Sequence, residues 1–296
     1  MTKLITGGSG LVGSEFEEGY KVSTKDYNLL CEKLVNEMYI MYAPDVVIHT
    51  AAKVGGVKDN MNNLAEYFRD NIVINNNVIH YAYKYGVKKL ICFLSTCVFP
   101  ENVIYPLTED KIHLGEPHSS NYGYAYAKRM VDIQLRAYNE QYGTKYFSVI
   151  PTNIYGKNDN YDLESSHVIP GLIHKCYMAI QSNTDFVVWG SGKPLREFIY
   201  AEDVANICNI LVDEYEDTKP LILSTSEEIS ISDVAHMIAD IMGFKGNIIF
   251  DTTKPDGQFR KPTDNTNLLK VIGCYKFTPL EEGLKKTIQH FLEKQK

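Results

Sequence analysis

The chain has 296 residues, room for roughly two domains of about 150 residues or one large domain with an appended lobe. Hydrophobic residues make up 44% and charged residues 23%, both near globular averages, and no apolar run approaches the ~18 residues of a membrane helix. The net charge of −7 comes from dispersed acidic residues, which disfavours nucleic-acid binding as a main activity but leaves room for a local basic pocket holding a phosphorylated small molecule.

Lys3 to Thr6 predicts a strand that runs at once into Gly7-Gly8-Ser9-Gly10-Leu11-Val12-Gly13, a glycine-rich turn opening a helix. No stretch there suits a cleavable signal segment, and a cytosolic protein is expected. Only Ser14 to Gly19 then precedes the next strand candidate, Tyr20 to Lys25, so the first helix is expected to be stunted. Asp45 to His49 and Lys89 to Leu94 are apolar on both faces, as parallel strands covered by helices are. A helix is expected from Met61 to Tyr85, stopping at Gly86, and another from Tyr124 to Tyr142, stopping at Gly143 before a strand at Tyr146 to Ile150.

This alternation predicts an α/β fold, a doubly wound, Rossmann-like parallel sheet spanning residues 1–150. From Pro151 the texture changes to a loop reaching Pro170, then short elements with turns at Gly190-Ser191-Gly192 and Pro255-Asp256-Gly257. Residues 151–296 are read mainly as a smaller substrate-binding lobe over the carboxyl edge of the sheet, with segments returning to the first domain. The cysteines, Cys31, Cys92, Cys97, Cys176, Cys208 and Cys274, form no Cys-x-x-Cys pair, and no histidines cluster at zinc spacing. They read as reduced thiols, and no metal site is expected.

Glycines at 7, 10 and 13 permit a tight turn, close approach of the backbone to a pyrophosphate, and close packing of helix on strand. An NAD site wants an acidic residue ending the second strand. Here Ser23-Thr24-Lys25 offers hydroxyls and a cation, which favours the 2′-phosphate of NADP(H), although Lys25 can equally be a solvated surface lysine.

Tyr-x-x-x-Lys occurs at Tyr85/Lys89, Tyr124/Lys128 and Tyr215/Lys219. Tyr124 alone sits near a helix start downstream of a strand ending in hydroxyls. Its pairing with Lys128 places a phenol and an ammonium one helical turn apart, where the cation stabilises a phenolate. Leu94-Ser95-Thr96-Cys97 ends its strand at the carboxyl edge, where open α/β sheets place ligands, so Ser95 can donate to a substrate oxygen or act as a turn residue.

Gly-x-x-Gly-x-x-Gly, Ser95 and Tyr124-x-x-x-Lys128 together resemble the extended short-chain dehydrogenase/reductases acting on nucleotide sugars. Ser95-Thr96-Cys97, Pro151-Thr152-Asn153-Ile154-Tyr155-Gly156, Ser166-His167-Val168-Ile169-Pro170-Gly171 and Val188-Trp189-Gly190-Ser191-Gly192 with Arg196-Glu197-Phe198 are similar to the 3,5-epimerase-4-reductases within that group. The resemblance covers nearly the whole chain and implies NADPH-dependent conversion of GDP-4-keto-6-deoxy-D-mannose to GDP-L-fucose, with Cys97 as base, His167 as acid and Tyr124 as proton donor to C4. It also implies cofactor contacts from residues 7–13, Leu94, Ser95, Lys128, Pro151, Thr152, Asn153, Ile154 and His167.

For the substrate, Arg196 has a guanidinium suited to a pyrophosphate and Trp189 a flat apolar face, though the first can pair with a surface acid and the second can be plain core. Asn153, Lys175, Asp256 and Lys261 are substrate contacts by resemblance. The rivals are a nucleotide-sugar 4-epimerase or 4,6-dehydratase, and a non-catalytic NADP-binding scaffold. A dehydratase wants an acidic pair after the strand-end Thr, where this chain has Cys97-Val98. The aromatic and apolar residues of the two long helices predict a homodimer.

Overall fold

The computed structural model describes residues 1–254 and 256–295, with the side chains of Val57 and Lys58 excepted. Pro255, the first residue of one expected turn, lies outside the described residues. Strands β1 (Lys3–Thr6), β2 (Tyr20–Val22), β3 (Val46–His49), β4 (Lys89–Phe93) and β5 (Tyr146–Pro151) alternate with helices α1 (Glu32–Tyr42), α2 (Val57–Asn62), α3 (Leu64–Lys84) and α4 (Tyr122–Tyr142). Then come β6 (Asn153–Tyr155), α5 (Val168–Ser182), β7 (Phe186–Trp189), β8 (Leu195–Tyr200), α6 (Ala201–Glu214) and β9 (Leu221–Leu223). The chain finishes with β10 (Glu228–Ser230), α7 (Ile231–Met242), β11 (Ile248–Asp251), α8 (Thr266–Ile272) and α9 (Leu280–Lys294).

The main sheet has the order β2-β1-β3-β4-β5-β9, with every pairing parallel. It is the expected α/β doubly wound sheet, and β3, β4 and β5 are buried at every position, which explains their lack of polar alternation. One face carries a core shared with α1, α3 and α4, the other a core shared with α6 and α8. Strand β9 brings the chain back from the later residues to pair with β5. The remaining strands make a three-stranded sheet, β10-β8-β6, and a parallel pair, β11-β7, with α5, α7 and α9 around a third core.

The crossover from β1 to β2 holds only a 3-10 turn at Gly13–Glu15 where a full helix would otherwise pack. Phe16, 1% exposed, drops into the core beneath α6 and fills part of that place. The expected single helix from Met61 instead breaks at Asn63, whose side-chain amide donates to the Asp59 carbonyl and carboxylate at 3.1 and 2.7 Å, competing with the helical backbone. Gly86 and Gly143 stop α3 and α4 with left-handed φ of 68° and 67°. Among the described residues no helix is long and apolar enough to cross a membrane, and the six cysteines are free.

Candidate active site

A cavity of about 640 Å³ opens along the carboxyl ends of β1, β3, β4 and β5 and runs beneath the start of α5 and the loops around β7 and β8. At one end is the glycine turn, contributing Gly7, Ser9, Gly10, Leu11 and Val12 to the lining. The turn is shaped by missing side chains: a Cβ on Gly13 would stand 2.2 Å from the Gly7 carbonyl oxygen, and one on Gly8 2.5 Å from the Lys21 Cβ. Gly7 itself needs a φ of 74°. Among the described hydrogen bonds the Gly10 amide is taken by Gly7 while those of Leu11 and Val12 have no partner. Two free donors on a cavity wall suit a pyrophosphate. Farther along, Pro151, Thr152, Asn153 and Ile154 line the cavity, and Thr152 Oγ1 is buried with no hydrogen-bond partner. These features fit a dinucleotide laid across the sheet edge.

The hydroxyl-bearing turn after β2 contributes Ser23 and Thr24 to the lining, and Lys25 is outside it. Ser23 is held by Asp26, whose carboxylate accepts from the Ser23 amide and hydroxyl, both at 2.8 Å.

In the middle of the cavity Leu94, Ser95, Tyr124, Lys128 and His167 share the wall. Ser95 caps the 3-10 turn Thr96–Val98, accepting from the Cys97 amide at 3.4 Å. Lys128 is 2% exposed; its ammonium donates to the Phe93 carbonyl at 2.7 Å and lies 5.8 Å from the centre of the Tyr124 ring. Burial lowers the Lys128 pKa to about 8, against the opposing pull of Cys92 and Cys97. The expected lowering of the Tyr124 pKa is not found in this structure. Burial, reinforced by Cys97 and Tyr67, pushes that phenol well above its ordinary value. Desolvation of a phenolate outweighs one cation already engaged with a carbonyl.

His167 stands just ahead of α5, open to the cavity's solvent. The surrounding protein mass still lowers its pKa through desolvation, so the neutral imidazole is favoured. Cys97, 8% exposed, is not on the wall of the large cavity. It faces a small adjoining pocket together with Lys261, and Thr96 belongs to both walls. Burial raises the Cys97 pKa, while Ser95, Lys261 and Lys128 act the other way. The thiol is thus one residue behind the reaction space, within electrostatic range of Tyr124 and Lys128.

At the far end, Trp189, Arg196 and Asp256 line the cavity. Trp189 is 49% exposed and therefore not plain core, and the Lys175 ammonium sits 3.8 Å over its ring. Arg196 donates to the carbonyls of Leu195 and Phe259, at 2.7 and 3.4 Å, rather than to a surface acid, which leaves its charge uncompensated by those bonds. Asp256 accepts from the Ser191 amide and hydroxyl at 2.6 and 2.8 Å, closing the glycine turn after β7. Asn153 donates to the Glu197 carbonyl at 2.8 Å. The structure adds lining residues absent from the expectations: Thr50, Ala51 and Ala52 after β3, and Gly55, Gly56 and Asn60 around the start of α2. The rule that ligands gather at strand carboxyl ends was the one available signal for the segment after β3.

A parallel sheet with a glycine turn, Ser95 and the Tyr124/Lys128 pair on one cavity defines a nucleotide-cofactor enzyme of the short-chain dehydrogenase/reductase type. Residues 3–223 match the model of the NAD dependent epimerase/dehydratase family. The GDP-L-fucose synthase of Dictyostelium discoideum is 47% identical, with 99% of this chain and 95% of that protein covered. The GDP-L-fucose synthase of Escherichia coli is 38% identical over 98% of this chain and 96% of its own length. A solved GDP-L-fucose synthetase from Naegleria fowleri bound to NADP superposes with a TM-score of 0.94 at 44% identity, covering 99% of this chain and 93% of the other. The chain belongs to the NAD dependent epimerase/dehydratase family and, within it, to the GDP-L-fucose synthases.

Proposed function

We propose that the protein binds NADPH and converts GDP-4-keto-6-deoxy-D-mannose to GDP-L-fucose, inverting C3 and C5 and then reducing C4. The observation that carries this reading is the gathering of Ser95, Tyr124, Lys128 and His167 on one cavity with a pyrophosphate-shaped turn and an arginine that has no ion pair among the described residues, with Cys97 on an adjoining pocket. When bound, NADPH supplies the hydride that C4 accepts.

The residues have separate tasks. Hydrogens on C3 and C5 flank the C4 ketone, so their removal leaves an enolate whose oxygen Ser95 and Tyr124 stabilise by donating to it. Inversion requires proton removal on one face and delivery on the other; Cys97 and His167 take these roles as base and acid. The thiol must first lose its proton, which Lys261 and Lys128 favour and burial resists. At C4 Tyr124 gives its proton to the developing alkoxide, and Lys128 stabilises the phenolate left behind. Arg196 faces the pyrophosphate of the GDP and Trp189, braced by Lys175, offers its edge and free face to the base, with Asp256 holding the adjacent turn.

The division of labour is between residues 1–150, which hold most of the cofactor, and residues 151–296, which hold most of the nucleotide sugar. The working form is a homodimer through α3 and α4, whose outer faces expose Phe68, Tyr83, Met130, Ile133 and Tyr142. A cytosolic setting is supported by the free thiols. Adding the keto sugar to the protein with NADPH tests the reading: loss of reduced-nicotinamide absorbance supports it, and unchanged absorbance refutes it.

A further inference from the structure

Behind the wall shared by Tyr124 and His167 lies a second group of polar side chains that the proposed reaction does not use. Tyr67 on α3 is 1% exposed, and its ring meets the Tyr124 ring edge to face, centroids 6.3 Å apart at 85°. Its hydroxyl donates to the Asp59 carboxylate on α2 in a short hydrogen bond, and the Asn63 amide holds the other Asp59 oxygen at 2.7 Å. Gly55 sits over this pair: a Cβ there would stand 2.1 Å from the Tyr67 hydroxyl and 2.6 Å from the Asp59 oxygen. Gly55 and Gly56 form cavity wall, and the Gly56 amide donates to the Ser165 carbonyl at 2.9 Å, two residues before His167. The other end of that loop is fixed as well, because Asn71 exchanges hydrogen bonds with the Lys53 amide and carbonyl at 3.1 and 3.0 Å.

We propose that Asp59 and Tyr67 are positioning residues, a carboxylate–phenol bracket that sets the Tyr124 ring from behind and, through Gly55 and Gly56, ties it to the segment carrying His167. The bracket deepens the reading of Tyr124 and His167 given above and rests on it. Both side chains must address one sugar from different directions, so their separation has to be held by something other than the sugar. The contact of α3 with α4 supplies the rigid frame. A Cβ on Gly123, beside Tyr124, would come 2.5 Å from the Leu64 carbonyl, so the two helix starts touch backbone to backbone. Neither Asp59 nor Tyr67 lines the cavity, and both act through the Tyr124 ring and the Gly55–Gly56 loop.

The test uses the full-length protein with NADPH and GDP-4-keto-6-deoxy-D-mannose, and reads NADPH affinity, KM, single-turnover hydride transfer and solvent-deuterium uptake at C3 and C5. Asp59→Ala and Tyr67→Phe each remove the short hydrogen bond. They are expected to slow hydride transfer and deuterium uptake by on the order of tenfold, with NADPH affinity and KM within about twofold of native. Asp59→Asn keeps one acceptor, for the phenol, while setting its amino group against the Asn63 amide, and is expected to recover part of the lost rate. Should Asp59→Ala fail to fold, Tyr67→Phe, which keeps the ring, carries the same expectation. Native rates in both bracket variants, or parallel loss of cofactor affinity and rate with no recovery in Asp59→Asn, overturn the bracket. A native protein inert toward the keto sugar overturns the underlying function, and the bracket with it.

Discussion

Lys128 lies one helical turn beyond Tyr124, yet its single short hydrogen bond, at 2.7 Å, goes to the Phe93 carbonyl at the end of β4. The ammonium is therefore anchored to the sheet rather than to the phenol, 5.8 Å from the Tyr124 ring centre. In the proposed reaction it serves as a fixed nearby charge. Replacing Tyr124 by Phe, which leaves that anchor in place, is expected to suppress C4 reduction by about 10²-fold or more and solvent-deuterium uptake at C3 and C5 far less. Separate assays of NADPH oxidation and deuterium incorporation check this, and equal losses would mean that the enolate contact is the dominant role of Tyr124.

Cys97→Ala tests the thiol behind the wall. Deuterium uptake at C3 and C5 is expected to vanish while NADPH affinity stays near native, because Cys97 lines the side pocket and not the glycine-turn end of the cavity. Unchanged uptake removes Cys97 from the chemistry.

The two half-reactions are expected to respond differently to pH. Lys128 is lowered to about 8 by burial, and only its protonated form stabilises the phenolate, so reduction falls as pH rises through 8. Burial raises the Cys97 pKa and only its thiolate removes a proton, whereas desolvation lowers the His167 pKa and only its imidazolium delivers one, so the two requirements offset each other and exchange stays level through that pH. Rate profiles of hydride transfer and deuterium uptake measured on one preparation read both slopes. Profiles falling together above pH 8 contradict the assignment.

At the cofactor end, Gly13→Ala is expected to abolish NADPH binding, since its methyl group would meet the Gly7 carbonyl oxygen at 2.2 Å. Lys25→Ala is expected to weaken binding less than about threefold because Lys25 lies outside the cavity wall. With the first helix reduced to one 3-10 turn, native affinity for NADPH is expected to be micromolar or weaker. Titration calorimetry measures all three, and a submicromolar native dissociation constant contradicts the last.

Glu197 bears on stability. It is 3% exposed and accepts from the Ser224 hydroxyl at 2.7 Å, the Thr263 amide at 2.9 Å and the Thr263 hydroxyl at 2.6 Å, pinning three separate segments together. Glu197→Ala is expected to destabilise the fold by about 2–4 kcal/mol, because it strands buried donors without a partner. Denaturant unfolding reads the loss.

The sequence was most legible where one physical constraint dominates. Strands buried on both faces read as β3, β4 and β5, and glycines able to adopt positive φ marked the ends of α3 and α4. Helix α1 gave no such signal: Cys31 precedes it without a side-chain cap, and Ala43 follows it with a left-handed φ of 39°, a position glycine usually takes. On the cavity wall, Ser95, Tyr124 and Lys128 were legible from a strand end, a helix start and their spacing, and His167 only through the resemblance of its Ser-His-Val-Ile-Pro segment. Thr50, Ala51 and Ala52 were not, since small residues line a wall by position and not by reactivity. The resemblance implied Cys97 as a base, but the 3-10 turn after Ser95 rotates successive side chains by about 120° and places it on the neighbouring pocket.

The most direct measurement is the structure of the sugar nucleotide formed from GDP-4-keto-6-deoxy-D-mannose and NADPH in deuterated water. The account predicts GDP-L-fucose carrying solvent deuterium at C3 and C5, with one NADPH consumed per sugar. A reduced sugar that keeps the D-manno configuration and carries no deuterium at those carbons would contradict it.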